Sequence, residues 1–98
     1  MLDLDPAHLA MVREVLGAHL HGGRAFAFGS RVRGTAKRFS DLDLVIQAEH
    51  PLDLDRLGEL RSAFSESDLP INVDVVDWSS LDASFRQRIE NEMVPVSP

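Results

Sequence analysis

The sequence predicts one small α/β or α+β unit in which helices and strands alternate as αβαβαβα. Three observations lead there. Apolar residues recur at helical spacing behind capping side chains, short segments between them alternate like strands, and glycine or proline marks most junctions. Ninety-eight residues are the size of a single domain, and the chain shows no internal repeat or low-complexity run.

Asp5-Pro6 opens the first helix, because the carboxylate can cap it and proline fits the first turn, whose N–H lacks a helical partner anyway. Leu9, Val12, Leu16 and Leu20 then share one face until Gly22-Gly23. "RAFAF", residues 24–28, reads as a buried strand with Phe26 and Phe28 on one face and Ala25 and Ala27 on the other. Gly29 stops it, and residues 30–36 read as one or two helical turns closed by Gly34. "SDLDLVIQ", residues 40–47, is a second strand whose polar face begins with Asp41 and Asp43.

After His50-Pro51, Asp53 caps a third helix with a stripe of Leu54, Leu57, Leu60, Arg61 and Phe64, ending in "SESD" before Pro70. "INVDVVDW", residues 71–78, is the third strand. Ser79 with Asp82 resembles a capping box that opens a last helix to about Met93, with Phe85, Ile89 and Met93 on one side. The tail "VPVSP" is expected to be loose.

With 44% hydrophobic and 27% charged residues the chain is composed like a soluble globular protein, and its apolar runs are too short to span a bilayer. The absence of cysteine excludes disulfides and thiolate metal sites. Aspartates, rather than a basic and then apolar stretch, fill the first residues, so no secretory signal and a cytoplasmic location are expected. A net charge of −6 argues against broad binding of nucleic acid through its phosphates. Four of the ten basic residues, Arg31, Arg33, Lys37 and Arg38, nevertheless crowd into eight positions, which marks that stretch as the place to meet a small anion.

Alternation puts Asp41 and Asp43 on the same strand face, where two carboxylates repel unless a hard cation sits between them. Oxygen-only ligands of this kind suit Mg²⁺, which takes remaining ligands from substrate phosphates. Gly29-Ser30, between strand and helix, can supply the phosphate site: glycine lets backbone N–H groups come close, and the hydroxyl adds a donor. Arginine is suited to gripping two phosphate oxygens at once, so Arg31 and Arg33 are the nearest candidates, ahead of Lys37 and Arg38. A third metal carboxylate has to come from the last strand, where Asp74 and Asp77 face opposite ways. Asp74 lies in mid-strand between Val73 and Val75 and is the choice for metal ligand and proton acceptor; Asp77, at the strand end, has a capping role available. The strings "LDLD" at 2–5 and "LDLDRL" at 52–57 repeat the motif's letters at helix starts, where aspartate caps.

Gly29-Ser30, a ten-residue gap and Asp41-x-Asp43, followed by the Asp74 strand, resembles the signature of the polymerase-β-like nucleotidyltransferase superfamily. Within it the chain is similar to the stand-alone minimal nucleotidyltransferases over residues 6–93 or so. The resemblance implies an α/β palm with a mixed sheet and Mg-nucleotide, with ATP as donor, held between Gly29-Ser30 and the aspartates. It also implies a helical HEPN toxin as partner, neutralised by AMP transfer to one of its tyrosines. Two alternatives stand beside this expectation. One is an antitoxin that acts by occlusion alone, and the other is nucleotidyl transfer to a small molecule.

Overall fold

The computed structural model describes residues 2–96. The chain runs α1 (Pro6–His19), β1 (Arg24–Phe28), α2 (Ser30–Arg33), β2 (Leu42–Gln47), α3 (Leu54–Ser65), β3 (Val73–Asp77), a 3₁₀ turn (Trp78–Ser80), α4 (Ala83–Glu90) and β4 (Val94–Pro95). The four strands form one sheet in the order β3-β2-β1-β4. β1 is antiparallel to both its neighbours, while β2 and β3 are parallel and joined by the α3 crossover, so the sheet is mixed.

Local chemistry explains most element boundaries. The Asp5 carboxylate accepts from Ala7 N at 2.8 Å and starts α1 ahead of Pro6. Asp53 accepts from Arg56 N at 2.8 Å and starts α3. Strand alternation then sorts the core into two faces. Ala25 and Ala27 of β1, Leu42, Leu44 and Ile46 of β2, and Val75 of β3 pack on Val12 and Leu16 of α1 and Leu60 and Phe64 of α3. Phe28, Val45 and Ile89 centre the opposite face, with Phe26, Val76, Trp78, Leu81, Phe85 and Met93 around them. Each fully buried Leu, Val or Phe contributes about 1.5–3 kcal/mol to holding these layers together.

Several sequence expectations are corrected. Leu54 projects into solvent at 86% exposure, so the α3 stripe begins at Leu57. The segment after Gly29 makes one of the expected one or two helical turns but ends at Arg33, short of residue 36, because Gly34 turns left-handed at φ 78° and its N–H closes on Ser30 O. The ladder of β2 begins at Leu42, where the Leu42 N–H donates to Asn72 O, so Asp41 stands just ahead of the strand. β3 likewise spans Val73–Asp77 and not the whole of 71–78. The last helix is capped by Asp82, whose Oδ1 accepts from Phe85 N at 2.8 Å, and the expected Ser79 cap lies inside a separate turn capped by Asp77.

The tail is the largest departure. Val94 and Pro95 pair with Ala27 and Phe26, the Val96 N–H donates to Ala25 O at 2.9 Å, and the Val96 side chain is only 1% exposed. Proline is admissible there because an edge strand needs only one side of its backbone paired. Ser97 and Pro98 of the same expectation lie outside the described residues. No helix among the described residues is long and apolar enough to cross a membrane.

Candidate active site

Strand register builds the site. Phe28 of β1 lies opposite Asp43 of β2, and Asp43 lies opposite Asp74 of β3. Cross-strand partners project from the same face of a sheet, and neighbouring strands are about 4.8 Å apart, so the two carboxylates stand side by side. Their face is the one α4 covers, but α4 reaches over Phe28 and Val45 and leaves the carboxylate end open. A cavity of about 530 Å³ results. Gly29, Arg33, Asp43, Asp74 and Glu92 form its polar wall, and Phe28, Val76, Leu81, Phe85 and Ile89, with Arg88, the rest.

Gly29 is required at the mouth of this cavity. It adopts φ +85°, and a Cβ built on it would collide with Asp43 Oδ2. The absence of a side chain is what lets the β1–α2 turn and the Asp43 carboxylate come together.

Asp43 is the electrostatic centre. Burial pushes its pKa above the usual carboxylate range, and the charges of Asp74 and then Asp41 push it further in the same direction; Arg33 opposes them and Glu92 adds to them. Among the described residues no three His, Cys, Asp or Glu side chains are already grouped to hold a metal ion. The chemistry of the donor set nevertheless fits a hard divalent cation. Asp43 and Asp74 offer adjacent oxygens, Asp41 is close enough for its charge to be felt, and a cation between them would relieve the repulsion that raises Asp43.

The basic stretch divides. Arg33 lines the cavity. Arg31 does not: it is 6% exposed, and its guanidinium donates to Ser40 O and Asp3 O at 3.0 Å each, to Arg38 O at 3.1 Å and to Lys37 O at 3.5 Å. The expected phosphate contact from Arg31 gives way to a structural role, since its donors are directed at backbone carbonyls that tie the 37–40 loop and the N-terminal segment to α2. Arg38 stacks on the exposed Phe39, 5.3 Å from its ring centre, and lines a separate depression with Arg31. Ser30 takes the first position of α2 and is not part of the cavity lining. Asp77 is buried and accepts from Leu52 N and Ser79 N, both at 3.0 Å, which fixes two loops.

Sequence reasoning missed Glu92. Its Oε2 accepts from Gly29 N at 2.6 Å, and its Oε1 lies 3.9 Å from Arg33 Nη1. Only the return of the chain as β4 brings it there. The single available signal was the Val-Pro-Val string, which is compatible with an edge strand.

Residues 12–96 match the family described as "Polymerase beta, Nucleotidyltransferase". The chain belongs to that family. The "Probable protein adenylyltransferase MntA" of Haemophilus influenzae is 44% identical to this nucleotidyltransferase over 97% of the chain and 83% of that protein. The "Protein adenylyltransferase MntA" of Thermococcus cleftensis is 36% identical over 92% of the chain and 86% of its own length. A crystal structure of a toxin-antitoxin with AMP-PNP superposes on the nucleotidyltransferase with a TM-score of 0.75, at 26% identity, over 90% of this chain and 71% of that one. Family and fold together place the chain among the minimal, MntA-type nucleotidyltransferases.

Proposed function

We propose that this protein is a Mg²⁺-dependent protein adenylyltransferase of the cytoplasm that moves AMP from ATP to a tyrosine hydroxyl of a HEPN toxin, and so acts as its antitoxin. The observation that carries this reading is the pairing of Asp43 with Asp74 beside the Gly29 turn, at the end of a cavity, in a chain 44% identical to a MntA protein.

Asp41, Asp43 and Asp74 would hold Mg²⁺, which when bound supplies charge neutralisation for the phosphates and acidifies the attacking hydroxyl. The hydroxyl oxygen attacks the α-phosphorus and the bond to the β-phosphate bridging oxygen breaks. AMP is left on the acceptor and pyrophosphate departs. The hydroxyl proton passes to the Asp74 carboxylate, which is solvent-exposed and can return it to water. Gly29 and Ser30 would offer donors to the phosphate tail, and Arg33, which lines the cavity, a cation beside it. The apolar part of the cavity, with Phe85 and Leu81, suits a planar base.

With α-labelled ATP and the cognate HEPN protein, label is expected on the toxin, and Asp43→Asn should lower its rate of appearance about a hundredfold or more. Transfer undiminished in Asp43→Asn would remove the carboxylate mechanism. Neutralisation that survives unchanged in an Asp41→Ala, Asp43→Ala protein would point instead to occlusion by binding alone.

A further inference from the structure

We infer that Glu92 is a resident competitor for the nucleotide's phosphate: its carboxylate holds the Gly29 N–H and the Arg33 guanidinium, and a bound triphosphate must displace it. The inference rests on the functional reading above and names a regulation of the same site.

Four observations support it. A carboxylate and a phosphate oxygen make the same demand on a backbone N–H and an arginine, so both cannot use Gly29 N at once. The contact is well formed, at 2.6 Å to the amide, and Glu92 is largely covered, its side chain 18% exposed. Glu92 is not part of a strand or helix that would fix its side chain; it follows α4, precedes β4 and needs only a rotamer change to leave. Finally, it contributes a third negative charge to a cavity wall that already carries Asp43 and Asp74, which opposes any polyphosphate while it stays.

Displacement has a consequence for Arg33. Its ion pair with Glu92 is long, at 3.9 Å, and the arginine side of it is 59% exposed, so the arginine is released at small cost once the carboxylate moves. Glu92 thus sets a threshold for nucleotide affinity and keeps the turn satisfied when no nucleotide is bound.

Calorimetric titration of the full chain with Mg²⁺ and AMP-PNP tests this. Glu92→Gln keeps the shape but loses the charge, and Glu92→Ala removes the competitor; both are expected to bind between about threefold and tenfold more tightly than wild type. Unchanged or weaker binding in both overturns the inference and makes Glu92 a supporting residue. Wild-type protein that binds no nucleotide and transfers no AMP would instead overturn the functional reading itself. Should either variant fold poorly, the Gly29 amide resonance of the wild type decides. It is expected to move from a carboxylate-bonded to a phosphate-bonded position on saturation, whereas a resonance that stays in place means Glu92 is not displaced.

Discussion

Asp43 and Arg31 show how differently two charged residues can be used within one short stretch. Asp43 is held where its ionised form is disfavoured, first by burial and then by Asp74 and Asp41. Its folded-state pKa lies above its ordinary 3.8, so the native chain binds the proton more tightly than the unfolded chain. The contribution of this group to stability is therefore largest at low pH and is lost as pH rises from 3.8 through the raised value. Asp43→Asn is expected to abolish this part of the pH dependence and to melt at a higher temperature than wild type at neutral pH, while losing transfer. Melting curves of the two proteins between about pH 4 and pH 7 check it. Arg31 behaves in the opposite sense. Its donors reach four backbone carbonyls, so Arg31→Ala removes those bonds together with the packing of a buried side chain and is expected to cost about 1–3 kcal/mol in denaturant unfolding. Were Arg31 a phosphate ligand, the same change would instead weaken nucleotide binding with stability intact.

At the scale of elements, strand alternation and register decide the site. Phe28, Asp43 and Asp74 form one row across β1, β2 and β3, and the apolar neighbours of those aspartates, Leu42, Leu44 and Val75, face the opposite side. The outer edge of the sheet at β3 is engaged by Arg61, whose Nε and Nη2 both donate to Val75 O, at 3.1 and 2.8 Å. At the other edge, β4 pairs with β1, and Val96 immediately after it enters the core. Val96→Ala is expected to lower unfolding free energy by about 1–3 kcal/mol. A change within about 0.5 kcal/mol in urea titration would mean that the tail is as loose as its sequence suggests.

On the whole-molecule scale, one sheet divides the chain into a closed apolar side and an open polar end. The side with α1 and α3 carries most of the fully buried residues, while the other holds the cavity and a concentration of acids. An acid-rich site of this kind is itself a source of instability, and ligands that neutralise it should stabilise the entire fold by mass action. Mg·ATP at about a hundredfold over its dissociation constant is expected to contribute about 2.7 kcal/mol and to raise the melting temperature by several degrees. A chelator should remove most of the gain. Equal shifts with and without Mg²⁺ would separate nucleotide binding from the carboxylates.

The sequence by itself determined what is local. Capping by Asp5 and Asp53 and the alternating faces of β1 and β2 follow from backbone geometry acting over a few residues, while the nucleotidyltransferase palm was implied by the resemblance of Gly29-Ser30 and Asp41-x-Asp43 to a family signature. What lies far apart in the chain only the tertiary structure decided. Glu92 reaches Gly29 across 63 positions, Arg31 spends its guanidinium on carbonyls of two separate segments, and Val94–Pro95 closes the sheet on β1. Such contacts carry no periodic signature, because they depend on where whole layers come to rest and on which backbone groups the packing leaves to be satisfied.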